Sequence, residues 1–287
     1  MSRAALLLLA DARFPTGAHA HSGGIEAAHA TGDVHDLDSL SWFIAGRLAT
    51  TALVDATFTA AATAFSAHAS TVRTSSLRTS GAETAHGGSQ RQKSRTTMIP
   101  DSAETSSLAT FVAQTADTGS HRQKSPATMI GERGWAQLDA ELAARIPSPR
   151  LRSVSRALGR QMLRAGERAW PSPAYTELRG ATEHDPFQPI ALGTVAAAAG
   201  LDPEEAALCA LHHQIGTWTT AAVRLLGLDP FAVHALAARL APAIESLAAE
   251  AATLAARDPA DLPSTSSPLG DILAEHHATW EVRLFAS

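Results

Sequence analysis

The pattern that most restricts this chain runs from Asp36 to Phe65. Leu37, Leu40, Ile44 and Leu48 fall on one helical face, and Phe43, Val54, Phe58 and Phe65 on an adjacent stripe. Asp36 can cap the free amides of the first turn. An apolar arc this wide predicts a long helix buried on more than one side. No long stretch alternates apolar and polar residues with β-branched side chains, as a half-buried strand would. Much of the 45% hydrophobic content is alanine and leucine, which favour helix.

Further helices follow the same logic. Leu138, Leu142 and Ile146 mark one that ends at Pro147 and Pro149. The next runs from about Arg150 to Ala169, with Leu151, Val154, Leu158, Met162 and Ala165 facing inward and Trp170-Pro171 closing it. Asp202-Pro203-Glu204-Glu205 combines a cap, a first-position proline and acids that favour the positive end of the helix dipole. Gly227 fits a C-cap, Asp229-Pro230 starts another helix, and Pro242 is expected to open one more that reaches Arg257. A Pro/Ser/Thr stretch then leads to a final short helix and the tail Trp280 to Ser287. The expected fold is all-α: one helical-bundle domain over residues 1–287, of about eight to ten helices.

Residues 69–133 break the texture. Ser, Thr, Gly, Gln and Arg dominate, and Gly88-Ser89-Gln90-Arg91-Gln92-Lys93-Ser94 through Thr97-Met98-Ile99 returns as Gly119-Ser120-His121-Arg122-Gln123-Lys124-Ser125 through Thr128-Met129-Ile130. Such a segment buries too little to offset its ordering entropy, so a long disordered insertion is expected. A helical turn over Leu108 to Val112 and a basic tether for an acidic partner are further readings.

The formal charge of −5 argues against nucleic acid as partner. The single Cys209 allows no internal disulfide and no cysteine zinc site, and fits a cytoplasmic location. The apolar run Ala4 to Ala10 faintly resembles a signal peptide, but Asp11 and Arg13 follow at once, and a buried first helix is expected. No run approaches the length of a membrane span, so no membrane partner is expected.

Two patterns suggest chemistry. The 13 histidines include His19 and His21, His212-His213 and His276-His277. Neighbours on one helix lie about 100° apart and cannot easily share an ion, and neither Cys nor an acidic cluster completes a metal shell. Solvated or hydrogen-bonded histidines are the plain reading, with His19, His21 and Glu26 kept as the alternative of a metal-dependent helical enzyme. Second, Arg152, Arg156, Arg160, Arg164 and Arg168 recur every four residues. They form a ridge that is either solvated or docks an acidic protein, less readily nucleic acid. Phosphate loops, dinucleotide fingerprints and nucleophile elbows are all absent from the sequence. No catalytic residue, cofactor-binding residue or metal ligand is assigned, and an interaction protein is favoured over an enzyme.

The first 26 residues complete the reading. Leu9-Ala10-Asp11, Phe14-Pro15-Thr16-Gly17, His21-Ser22 and Gly24-Ile25-Glu26 resemble the opening signature of the UreF urease accessory proteins. Three later blocks agree in order: His184 to Gly193, Ala221-Ala222-Val223-Arg224-Leu225-Leu226-Gly227-Leu228, and the terminal Arg283-Leu284-Phe285-Ala286-Ser287. The resemblance implies an all-α protein that dimerises, binds UreD (also called UreH) and the GTPase UreG, and helps deliver nickel to apo-urease. It implies no enzyme activity and no stoichiometric cofactor, nickel being handled by the complex. It places Pro15, Gly17, His21, Ser22, Gly24 and Glu26 in a partner-binding and dimer region, and Arg224 near a UreG-facing surface. Arg283, Leu284 and Phe285 match a tail that orders when UreD binds. His19 and Ala20, Gly227 and the insertion depart from the family pattern. Glu26 is expected to cap first-turn amides, steer nickel or pair with a partner arginine. Arg283 is expected to grip carbonyls or a carboxylate bidentately.

Overall fold

The computed structural model of the chain describes residues 3–11, 13–15, 17, 20–79 and 134–286, with backbone only over 69–79. All regular structure among them is helical: α1 (Arg3–Ala10), α2 (Ile25–Ala30), α3 (Leu37–Arg47), α4 (Leu53–Thr79), α5 (Gly134–Ala144), α6 (Pro149–Ala169), α7 (Ala174–Ala181), α8 (Gln188–Ala198), α9 (Pro203–Leu226), α10 (Pro230–Leu254) and α11 (Pro268–Ala278). A π-helical segment, Leu48–Ala52, joins α3 to α4 without a break. Taking 37–79 as one interrupted helix gives ten helices among the described residues, within the expected range.

The caps follow local chemistry. The Asp36 carboxylate accepts from the Ser39 amide and the Asp202 carboxylate from the Glu205 amide, each within a reciprocal capping box. Gly227 ends α9 in the left-handed region, at φ 64°. Pro242 does not open a helix. It lies inside α10, where the helix tolerates its missing amide, and α10 ends at Leu254. Helix α4 runs on to Thr79, so its backbone extends into the first part of the span 69–133. The repeat, the Leu108 to Val112 turn and most of the insertion lie outside the described residues. α7 was not anticipated.

Helix α8 is the hub, packed between α4 and α6, and α9 lies across α4 and α10. Six of its consecutive residues, from Ile190 to Val195, are buried. A β-carbon at Gly193 would lie 2.2 Å from the Thr59 carbonyl oxygen, so only glycine lets α8 approach α4 this closely. The Thr63 hydroxyl seals the contact by donating to the Gly193 carbonyl at 3.0 Å. One apolar core runs from Leu9 through Phe58, Leu163 and Leu211 to Phe285, joining the two ends of the chain.

Helix α1 is a surface helix rather than a buried one, with only Ala5 and Leu9 inside and Leu7 and Leu8 exposed. By length and composition, Leu37–His68 and Pro230–Leu254 could cross a bilayer; two thirds of the first one's apolar window is packed inside the protein.

Candidate functional site: the two ends of the chain on one carboxylate

Gly23 and Gly24 turn the chain into α2 with positive φ values of 61° and 94°. A β-carbon on Gly23 would strike the Trp218 indole nitrogen at 2.6 Å. That indole N–H instead donates to the Gly23 carbonyl at 3.2 Å, and Arg47 Nη2 donates to the same oxygen at 3.1 Å. The buried Ser22 hydroxyl accepts from the Gly24 and Glu26 amides. Ser22 therefore takes the capping role that the sequence reading gave to Glu26.

The Glu26 carboxylate is freed for another task. It is buried, and every donor it meets comes from the C-terminal end of the chain. Oε1 accepts from the Leu284 amide at 2.7 Å, and Oε2 from the Phe285 amide at 3.0 Å. His277 of α11 places Nε2 2.9 Å from Oε2, with both side chains almost fully enclosed. Trp280 packs on the His277 ring. Charge-assisted bonds of this kind are the stronger class of protein hydrogen bond. Around them, the Ala286 amide donates to the Ala20 carbonyl at 2.8 Å and Arg150 Nη2 donates to the Ala286 carbonyl at 2.6 Å. The Phe285 ring is buried beneath the Arg224 guanidinium, 4.7 Å from its centroid.

The expected site residues thus divide. Ser22, Gly24, Glu26, Arg224, Leu284 and Phe285 converge, and within one chain the tail is already held. Tail donors engage both Glu26 oxygens, so in this arrangement the carboxylate is buried against the tail rather than presented to a metal or a partner arginine. Arg283 makes one bond rather than a bidentate grip, from Nη1 to the Ala278 carbonyl at 3.2 Å. Leu284 and Val282 remain exposed beside it, so the docked tail offers an apolar rim. Pro15 lies apart, beside α6, and a β-carbon on Gly17 would meet Leu158 of that helix. His21 lines a different feature, described next. His19 lies outside the described residues.

On the other side of the Gly23 turn is a cleft of about 200 Å³, walled by Leu151, Val154, Leu158 and Trp218 and carrying His21, Arg47 and Asp55. The sequence reading missed Arg47 and Asp55. Their signal was present: beyond Asp38 in the first turn, they are the two charges that interrupt the apolar 37–68 stretch. Eight α-helical residues would leave them about 80° apart, and the wider turn of the π segment brings both to the cleft wall. Gln214 Nε2 donates to Asp55 at 2.9 Å. Burial pushes the Asp55 carboxyl up to about 7, against the pull of Arg47 and Gln214. Burial also lowers the Arg47 pKa, although Asp55 and Asp271 oppose it. Its Nε is enclosed and makes no hydrogen bond among the described residues.

His213 and His276, of the two later histidine pairs, behave as ordinary structural groups. His213 bonds the Leu9 carbonyl through Nε2 at 2.8 Å and is held below the usual imidazole value by burial. His276 accepts from the Trp280 indole and contacts its ring edge-on. Among the described residues no three His, Cys, Asp or Glu side chains are grouped to hold a metal ion. Burial pushes the Cys209 thiol up to about 12, so it is no ready nucleophile.

Comparison with known proteins gives the family. The UreF family model matches residues 103–241. Curated relatives match from end to end: the urease accessory protein UreF of Mycolicibacterium vanbaalenii is 35% identical over 286 residues, covering 100% of this chain and 99% of its own length. The UreF proteins of Mycobacterium marinum and Mycobacterium tuberculosis are 34% and 31% identical, over 99% and 100% of this chain and 98% and 99% of their own lengths. The chain belongs to the UreF family. In this chain the Glu26 cluster is where the opening block and the tail meet, Glu26 and Leu284 being 258 positions apart in the sequence.

Proposed function

We propose that this UreF-family chain is a non-catalytic maturation factor for urease. It acts in the cytoplasm as a homodimer, in a complex with UreD/UreH and the GTPase UreG that assists nickel insertion into apo-urease. The observation that carries the reading is the Glu26 cluster. A buried carboxylate fixes an exposed apolar tail, Val282 and Leu284, beside the cation of Arg224. This is the composition of a protein-docking surface: apolar contacts framed by a charge that orients the partner. Its groups are committed to holding backbone rather than presented to a substrate. The names of the relatives as accessory proteins support the same role.

The test is co-expression of the full chain with UreD, UreG and apo-urease. The expected result is co-purification of the complex and urease activation, with Arg283→Ala weakening UreD recruitment while the helical spectrum is unchanged. Full activation by cells lacking the chain, or UreD capture indifferent to both Arg283→Ala and deletion of residues 282–287, contradicts the proposal.

A further inference from the structure

The arginine ridge of α6 is not one surface. Positions four residues apart advance about 40° around a helix at 3.6 residues per turn, so the ridge winds from the interior to solvent. Arg152 donates to the Ile146 and Pro147 carbonyls, and Arg156 pairs with Asp139 at 2.9 Å and lies 3.8 Å over the Phe187 ring. Arg160 pairs with Asp185 at 2.8 Å. Arg164 and Arg168 are different. Both are exposed, and neither forms an ion pair with a carboxylate among the described residues. Glu167, beside them on the helix, is ion-paired with Arg179, which holds its carboxyl below the usual range with a smaller pull from Arg168 and Arg164.

These two arginines edge an open groove of about 450 Å³. Gln161, Ala165 and Ala169 of the same helix line it, together with Phe14 and Pro15 from the N-terminal segment. Phe14 is braced, because its ring stacks on Trp170 at 5.9 Å. The helix therefore contributes two cations and two small alanines to the groove, and the N-terminal segment contributes apolar groups.

We propose that this groove docks a short extended segment of a partner protein in which acidic and apolar residues alternate. Side chains two apart on an extended segment fall on one side, about 6.6–7 Å from each other. That spacing matches arginines one helical turn apart, whose β-carbons lie about 5–6 Å from each other. The carboxylates then face Arg164 and Arg168, the alternate apolar residues face Phe14 and Pro15, and the backbone runs over the two alanines. Charge complementarity selects this occupant. On a chain of net charge −5, Arg164 and Arg168 form a local positive site, and Glu167, the acid that both feel, is already ion-paired with Arg179. The groove is separate from the tail surface, so the proposal does not rest on the function proposed above.

The probe is a fluorescein-labelled Gly-Glu-Leu-Glu-Leu-Glu-Gly peptide, titrated by anisotropy against the full chain, with a lysine-for-glutamate peptide as control. Saturable binding is expected for the acidic peptide alone, weakening with salt. Arg164→Glu/Arg168→Glu should weaken it at least about tenfold, as two charge-assisted bonds are lost. Arg160→Glu, whose arginine is already paired, should change affinity less than about twofold. Equal binding of the lysine peptide, an unchanged affinity in the double variant, an equal loss from Arg160→Glu, or the absence of saturable binding overturns the proposal. So does tighter arginine-dependent binding to phosphatidylglycerol vesicles than to the peptide. Circular dichroism confirms that each variant keeps its helices.

Discussion

Glu26 and Arg47 flank the same Gly23-Gly24 turn and are treated in opposite ways. The buried anion meets three donors, two of them backbone amides of the tail. The cation across the turn uses one hydrogen bond and leaves its enclosed Nε without an acceptor. Burying a charge is costly unless its bonding capacity is filled. The Glu26 side is therefore a closed structural joint. The Arg47 side keeps a cost, visible in the lowered pKa of Arg47 and the raised pKa of Asp55. What joins chain ends is satisfied, and what lines the cleft remains able to respond to protons.

Removing the joint should have the largest effect. Glu26→Ala strands His277 and two tail amides and lets Phe285 leave the core. A loss of about 3 kcal/mol is expected from the unmet donors and the exposed ring. A urea midpoint shift in the full chain measures it. A variant as stable as the parent would break the comparison.

Asp55→Asn should act in the reverse direction and only at higher pH. The Asp55 pKa rises from 3.8 to about 7 on folding. The native state then holds a proton that the unfolded state releases, so stability is full below about 4 and falls as pH rises towards 7. Asparagine keeps an acceptor for Gln214 and removes the titration. At pH 8 the variant should be more stable than the parent by about 2–4 kcal/mol, with no difference at pH 4. Paired denaturation curves at the two pH values check this. An equal difference at both would mean that folding does not raise the Asp55 pKa.

The smallest effect belongs to Arg224→Ala. The arginine lies over a ring already buried by other groups, so about 0.5–1 kcal/mol is expected. The Glu26 bonds should survive. A loss as large as that of Glu26→Ala would show that the ring contact, and not the carboxylate, holds the tail.

Local chemistry was legible and distant pairing was not. Asp36, Asp202 and Gly227 act through neighbours within a few residues, so their roles could be read directly. Pro242 was misread because a proline within an apolar helix and one at a helix start look alike in sequence. The opening motif and the tail were both singled out, but nothing local indicates that Glu26 bonds backbone amides at Leu284 and Phe285. Amides carry no residue signature. The π segment at Leu48–Ala52 was equally hidden, and with it the convergence of Arg47 and Asp55 on one wall. The arginine ridge was visible as a pattern, but its division depends on Asp139 and Asp185 reaching α6 from elsewhere in the fold.

Hydrogen exchange at the Leu284 and Phe285 amides tests the Glu26 joint most directly. In the parent chain both should exchange slowly, at rates set by opening of the tail, and in Glu26→Ala both should exchange at the rate of an unstructured peptide. Fast exchange in the parent, or equal protection in the two proteins, would contradict the claim that this carboxylate ties the two ends of the chain together.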